Sequence, residues 1–467
     1  MVSAAPLVSS SSSQGMLMAV VALLVGTLLL AVALVDAFEV MLLPRRVQRR
    51  VRLVRAYFRA TWHGWTAVRR LLPARAHATF LSVYGPLSML GLIAVWAAAL
   101  VTGFGALQWA LAARAAQSAG GAAPSLLNAI YFSGVTFFTV GYGDVVATTR
   151  AGKVLAVIEA GTGFGLIAVV IGYLPVLYQL FTRRESHVIR LDARAGSPPT
   201  AAELLVRHAG SAQGLDSLRG ILGDWEHWAA ELLESHLSYP MLAYYRSQHD
   251  NESWLAALTA VLDACALLTV GLSATGAPSR SGTPGTPVGR AAPIRGSPGR
   301  EFGREPSHGS SDRAGPVGEL PTFQARMTFA TARLAVLEMA RALYGAVPPG
   351  GTDALDAVHA GGPTGERLPP RAFARLEARL RDGGLEFDAA DAEPRLAALR
   401  HTYEPFVERL AARLLLPLPR WVAYDDATDN WQQSVGGSEA KQLVADAAAS
   451  ERRDARGKSP VETHHSR

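Results

Sequence analysis

Three long runs of uncharged, mostly apolar residues constrain the fold of this chain more than any other feature. They cover residues 16–35, 80–113 and 160–181 of the 467-residue sequence. Each run reaches the roughly 20 residues that a helix needs to cross the hydrocarbon core of a bilayer. The sequence therefore predicts an all-α membrane protein in which three helices span the membrane.

The distribution of charge predicts the orientation of these helices. Ten arginines and no acidic residue lie between Arg45 and Arg75, whereas residues 1–35 carry no charged side chain. Loops rich in arginine and lysine remain on the cytoplasmic side of a membrane. We therefore expect residues 1–43 to form an external tail and the first spanning helix. The basic connection over residues 44–79 and the C-terminal part are then cytoplasmic, in a multi-pass protein of the plasma membrane.

A short segment between the second and third runs alternates glycine with larger residues. It consists of Thr139, Val140, Gly141, Tyr142, Gly143 and Asp144. Glycine adopts left-handed backbone conformations without steric cost, so successive carbonyl groups can point to the same side. Rings of backbone carbonyl oxygens replace the hydration shell of a permeating cation. The segment therefore predicts a selectivity filter, with the Val140 and Tyr142 side chains packed behind it.

This filter segment and its flanks resemble the pore of the potassium channel family over about residues 80–184. Residues 124–138 resemble the short pore helix, whose negative C-terminal end points toward the ion path. Gly152 and Gly163 stand where the family has the start of its inner helix and its hinge glycine. The resemblance implies that K⁺ binds to the backbone carbonyls of four filter residues. These are Thr139, Val140, Gly141 and Tyr142.

Two positions beside the filter depart from the family pattern. Phe138 stands where the family usually has threonine, and Ala147 stands where it often has proline. The filter residues themselves are intact, so the resemblance implies a potassium-selective channel that transports K⁺ passively. The departures leave a less selective cation channel as an alternative. A membrane sensor or scaffold that acts through its cytoplasmic helical domain is a third interpretation.

The number of filter segments predicts the assembly. One filter segment occurs in the sequence, and one strand cannot surround an ion, so we expect a homotetramer. None of the apolar runs carries arginine at every third position, which disfavours a voltage sensor. The permeating K⁺ is the only ion implied, and we expect no cofactor and no enzymatic activity.

Glycines and a proline interrupt the third apolar run. Gly163 and Pro175 are the candidate gating hinges, because proline removes a helical hydrogen bond and Gly163 matches the hinge position of the family. We expect Gly161 and Gly165 to be packing positions, and close packing is also the alternative for Gly163. Glu159 lies on the same run, where we expect it to face interfacial water rather than the back of the filter.

The basic connection over residues 44–79 also carries aromatic and aliphatic residues, which predicts an amphipathic helix on the inner leaflet. Its arginines are candidate contacts for anionic lipid, or they determine topology alone. The lipid-contact candidates are Arg45, Arg46, Arg49, Arg50, Arg52 and Arg55.

Beyond the third run the composition indicates a mainly helical cytoplasmic domain in two parts. The predicted segments are a first helical part at 185–275, a disordered linker at 276–320, a second helical part at 321–433 and a mobile tail at 434–467. We expect the two helical parts to dock as one assembly. Residues 254–272 are apolar but contain Asp263, which favours a buried core helix over a fourth span.

Several potential ligand residues match no metal-binding spacing, so we expect them to be surface and capping residues. They are His227, Glu234, His236, His249, Asp250 and Asp263. The sequence contains no phosphate-binding glycine motif and no catalytic triad signature, so it does not indicate which regulatory ligand the domain binds. The single cysteine, Cys265, is consistent with a reducing cytoplasm. The basic residues near the membrane account for much of the net positive charge, so nucleic-acid binding is not needed to explain it.

Overall fold

The computed structural model describes residues 7–41, 53–118, 125–247, 252–274, 320–344, 367–424 and 429–432, together with the single residues 439 and 442. Of the six lipid-contact candidates, only Arg55 lies within these ranges, where it is exposed. The predicted linker up to residue 319, almost all of the predicted tail, His249 and Asp250 lie outside the described residues.

Within the described residues, three helices are long and apolar enough to cross a membrane. They are α1 (Leu7–Met41), α3 (His77–Ser118) and α5 (Arg150–Ala195). The predicted all-α membrane protein is therefore confirmed. Helix α5 continues past the predicted pore boundary at residue 184 and contains Pro175 without a break in the helix.

Helix α1 packs along α3, and small residues allow the two backbones to approach closely. A Cβ atom on Gly26 would lie 2.8 Å from the carbonyl oxygen of Gly103, so neither helix could carry a larger residue there without moving. Further along, the buried carboxylate of Asp36 accepts a hydrogen bond of 2.9 Å from Trp96 Nε1. Close packing and a buried hydrogen bond are the interactions that hold helices together in lipid, where burial of apolar surface contributes little.

Helix α2 (Leu53–Arg69) lies in the basic connection and buries its aromatic face against protein. Phe58 stacks on Tyr244 with 5.6 Å between ring centroids, and Trp62 Nε1 donates a 2.9 Å hydrogen bond to the carbonyl oxygen of Arg413. The sequence predicts that this helix lies on the inner leaflet, whereas in the structure its Trp62 ring lies against Tyr84 of α3 and against Tyr244. Helix α2 therefore joins α3 to the C-terminal domain.

The C-terminal domain comprises the described residues from Ala201 onward and is mainly helical. Its helices are α6 (Ala201–Ala209), α7 (Ala212–Ser238), α8 (Trp254–Val270), α9 (Thr322–Tyr344), α10 (Pro370–Asp382), α11 (Ala392–His401) and α12 (Glu404–Leu414). Strand β1 (Leu272–Ala274) pairs antiparallel with β2 (Leu385–Phe387), with Leu272 opposite Phe387. This pairing joins the two predicted helical parts, and they share one hydrophobic core.

Helix α8 runs through the centre of this domain, where all of its residues except Thr269 are buried. It is therefore a core helix, as its interrupted apolar pattern predicts. The expectation that Asp263 is a surface or capping residue is wrong. Asp263 is fully buried, its Oδ2 lies 2.6 Å from Arg367 Nη2, and its Oδ1 accepts a 2.5 Å hydrogen bond from the Tyr403 hydroxyl. A guanidinium 104 residues away in the sequence neutralises this charge.

Candidate functional site

The short helix α4 (Leu126–Phe137) holds the filter segment between α3 and α5. It begins after Ser125, within the predicted range of 124–138, and Pro124 lies outside the described residues. The Ser133 hydroxyl donates a 2.7 Å hydrogen bond to the Val101 carbonyl on α3. A Cβ atom on Gly105 would lie 2.8 Å from Ile130 Cα, so α3 and α4 are in backbone contact.

The filter segment has the alternating backbone that its glycines predict. Gly141 and Gly143 have φ angles of +64° and +79°, and Thr139 also has a positive φ of +56°. A left-handed conformation is unfavourable for a residue with a branched Cβ, so its presence at Thr139 indicates a conformational constraint that the rest of the site imposes. The Val140 amide donates a 2.9 Å hydrogen bond to the carbonyl of Val135, which closes the end of α4.

Three apolar side chains at the filter segment are more than half exposed. Val140 and Tyr142 are 51% and 72% exposed, and Phe138 beside them is 52% exposed. The described residues of one chain therefore do not bury Val140 and Tyr142 behind the filter as we expected. The exposed apolar side chains on the neighbouring helix α5 include Val154, Val157, Ile158, Phe164, Ile167, Ile171 and Tyr178.

Asp144 ends the filter segment and is held by two hydrogen bonds. Its Oδ2 accepts from the Tyr131 hydroxyl at 3.0 Å, and its Oδ1 accepts from the Val145 amide at 3.0 Å. Tyr131 lies on α4, so this hydrogen bond connects the pore helix to the far end of the filter. Tyr131 is not among the site residues predicted from the sequence. The signal that could have identified it is a tyrosine on the helix that precedes the filter.

Glu159 lies behind the pore helix, contrary to the expectation that it faces interfacial water. It is fully buried, and its Oε1 forms a hydrogen bond with the Ser133 hydroxyl. Its Oε2 has no hydrogen-bond partner among the described residues. A buried carboxyl group is stable only where a hydrogen-bond partner is available, and Ser133 provides that partner from the facing helix. The sequence could not reveal this pairing because the two residues lie 26 positions apart.

Gly163 lies against the end of α4. A Cβ atom on Gly163 would lie only 2.0 Å from the carbonyl oxygen of Phe137, whereas a Cβ on Gly161 or Gly165 would meet nothing within 4 Å. Among the described residues of one chain, Gly163 is therefore the packed position, which is the alternative stated for it, and the packing roles of Gly161 and Gly165 remain predictions. The hinge roles of Gly163 and Pro175 remain predictions, and α5 is continuous at both residues.

Comparisons with known proteins match the pore region of the chain. Residues 92–179 match the sequence profile of the family described as ion channel. Over 69 residues the chain is 41% identical to "Two-pore potassium channel 4" of Arabidopsis thaliana, which covers 15% of this chain and 21% of the relative. Over 208 residues it is 22% identical to "Uncharacterized membrane protein YdjJ" of Bacillus subtilis (strain 168), which covers 44% of this chain and 59% of the relative.

The chain thus spans less than two thirds of the length of both relatives. No solved structure matches it. The family match coincides with α3, α4, the filter segment and the first part of α5, and it lies within the residues whose resemblance to potassium channel pores is described above. That resemblance is confirmed, because residues 92–179 of this all-α membrane protein match the ion channel family.

Proposed function

We propose that the chain is one subunit of a K⁺-selective channel that conducts passively across the plasma membrane. The observation that carries this proposal is the filter backbone, with positive φ angles at Thr139, Gly141 and Gly143. Such alternation turns successive carbonyl groups toward one side, where they replace the hydration shell of a dehydrated cation. The 41% identity to a relative named as a potassium channel supports K⁺ as that cation.

Fourfold assembly follows from the exposure of the filter. A single segment cannot surround an ion, and the described residues of one chain leave the Val140 and Tyr142 side chains exposed. Neighbouring subunits would cover these side chains and the apolar face of α5. A homotetramer therefore both closes the carbonyl rings and removes exposed apolar surface from around them.

The orientation rests on charge. Loops with many arginines stay in the cytoplasm, which places the connection over residues 44–79 and the C-terminal domain inside, and the N-terminus outside. Because α5 runs without interruption from the pore to Ala195 and packs there against this domain, a change in the domain can reach the pore through one continuous helix. We therefore propose that the domain regulates the channel.

The test is cation flux through the purified full chain in liposomes, with K⁺ and Na⁺ gradients compared. We expect K⁺ flux to exceed Na⁺ flux in the wild type. Gly141→Ala should abolish the selective flux, because φ at this position is +64° and alanine is strained there. The matched control is Gly220→Ala on α7, where a Cβ atom meets nothing within 4 Å and φ is helical.

Three other results would point elsewhere. Equal K⁺ and Na⁺ flux would favour the less selective cation channel, for which the exposed Phe138 beside the filter is the supporting observation. Selective flux that survives Gly141→Ala would contradict the assignment of the filter. Absence of flux in the full chain and also after removal of the C-terminal domain would favour the sensor or scaffold interpretation.

A further inference from the structure

A cavity of about 520 Å³ lies in the C-terminal domain between α10 and residues 420–424. Small-molecule sites usually have volumes of roughly 300–1,000 Å³. Four arginines and one acidic residue line this cavity, together with the exposed ring of Tyr424. The charged lining residues are Arg367, Arg375, Arg379, Arg420 and Asp382.

Two of the four arginines form ion pairs with carboxylates of the domain, and the other two do not. Arg367 is buried and bound to Asp263 and Glu404, and Arg379 pairs with Glu203 at 2.8 Å. Among the described residues, no carboxylate lies within ion-pairing distance of the other two. These are Arg375 on α10 and Arg420 on the opposite wall, and both are exposed. The guanidinium of Arg420 lies 3.8 Å from the centre of the Tyr424 ring.

We propose that this cavity binds a small organic phosphate that carries a flat ring, such as a nucleoside phosphate. Arginine binds phosphate oxygens through two parallel hydrogen bonds, and guanidinium groups on opposite walls can hold one phosphate between them. The half-exposed ring of Tyr424 offers a face on which a nucleobase stacks. Asp382 supplies an acceptor for sugar hydroxyls, a role that acidic side chains have toward ribose.

The charge of the lining also favours an anionic ligand. Four guanidinium groups and one carboxylate line the cavity, and two of those guanidinium groups have no carboxylate partner among the described residues. The positive charge and the volume therefore favour an anionic ligand over an apolar one.

The cavity is connected to the inner helix through both of its walls. Arg379 of α10 binds Glu203 of α6, and the carbonyl of Trp421 accepts a 3.1 Å hydrogen bond from the Ala202 amide at the start of α6. Helix α6 begins at Ala201, shortly after α5 ends at Ala195. A ligand that draws the two walls together would move α6 and so the C-terminal end of the inner helix α5. This part of the inference rests on the proposed function, whereas the binding part does not.

Calorimetric titration of the purified full chain with ADP tests the binding part. We expect saturable binding that weakens by at least about tenfold in the double variant Arg375→Ala, Arg420→Ala, because both charge-assisted contacts are lost. The matched control is Arg371→Ala, since this exposed arginine lies on α10 but outside the cavity. All of these side chains are exposed, and unchanged thermal unfolding will verify that each variant folds.

The outcomes separate the parts of the inference. No saturable binding of ADP at millimolar concentration, or equal binding by the double variant, overturns the site. Inorganic phosphate or ribose 5-phosphate binding as tightly as ADP overturns the recognition of a ring. ADP that binds but leaves K⁺ flux in liposomes unchanged overturns the connection to the pore. A flux change in the wild type that is absent from the double variant supports that connection.

Discussion

Replacement of Gly163 by alanine distinguishes a packing role from a hinge role at this position. The new Cβ atom would lie 2.0 Å from the Phe137 carbonyl oxygen, although real Cβ contacts essentially never fall below 3.0 Å. The end of α4 must therefore move by about 1 Å, and such overpacking costs about 1–3 kcal/mol. Phe137 precedes Thr139 by two residues, so this displacement would also move the first residue of the filter segment.

We expect Gly163→Ala to lower the K⁺/Na⁺ flux ratio and the thermal stability of the assembled channel together. The assays are liposome flux with both cations and thermal unfolding of the purified protein. Gly165→Ala is the matched control, because its Cβ atom meets nothing within 4 Å in the chain and the helix propensity gained is the same. A Gly163→Ala channel with normal selectivity and stability but altered open probability would refute the packing argument and support the hinge.

Three further predictions concern other parts of the structure. Asp263→Ala should destabilise the protein by about 3–5 kcal/mol in denaturant unfolding, because the buried guanidinium of Arg367 loses one of its two carboxylate partners and the buried Tyr403 hydroxyl loses its acceptor; wild-type stability would contradict this. Burial and neighbouring carboxylates raise the pKa of Glu252 to about 7, so the folded state retains a proton that the unfolded state releases above its ordinary pKa of 4.5. Stability should therefore fall by about 1–2 kcal/mol, after allowance for solvent screening, as the pH rises from 4.5 to about 7. Glu252→Gln should remove this pH dependence of stability from thermal unfolding profiles. Tyr131→Phe should leave folding intact but shorten sustained K⁺ currents, because Asp144 loses its hydrogen bond to the pore helix; unchanged currents would show that this bond does not stabilise the conducting filter.

Helix α5 is bound directly to the C-terminal domain by hydrogen bonds. Its Arg184 side chain, on the C-terminal side of Pro175, is buried and donates hydrogen bonds of 2.9 Å and 2.7 Å to the carbonyls of Leu242 and Tyr245. These carbonyls belong to the segment that follows α7, so the domain holds the inner helix directly. Helix α2 reaches the same segment through Phe58 and Tyr244, which gives the domain a second contact with the membrane part.

Most of the membrane part could be predicted from the sequence because its signals are local. Helix length and hydropathy identified the three spans, and the glycine alternation at Gly141 and Gly143 predicted the filter conformation. The positive φ of Thr139 was not predicted, since nothing local favours it in a threonine. The boundaries of α5 were also missed, because the helix continues into polar residues that the C-terminal domain buries.

The sequence by itself determined the three apolar spans, the short pore helix and the filter segment, because bilayer thickness and backbone stereochemistry act over a few consecutive residues. The tertiary structure alone decided which distant polar groups meet: Glu159 with Ser133, Asp263 with Arg367, and the arginines around the cavity. These pairings depend on how helices cross in space. A buried charge needs a partner from anywhere in the chain, and no spacing in the sequence indicates which residue that partner is.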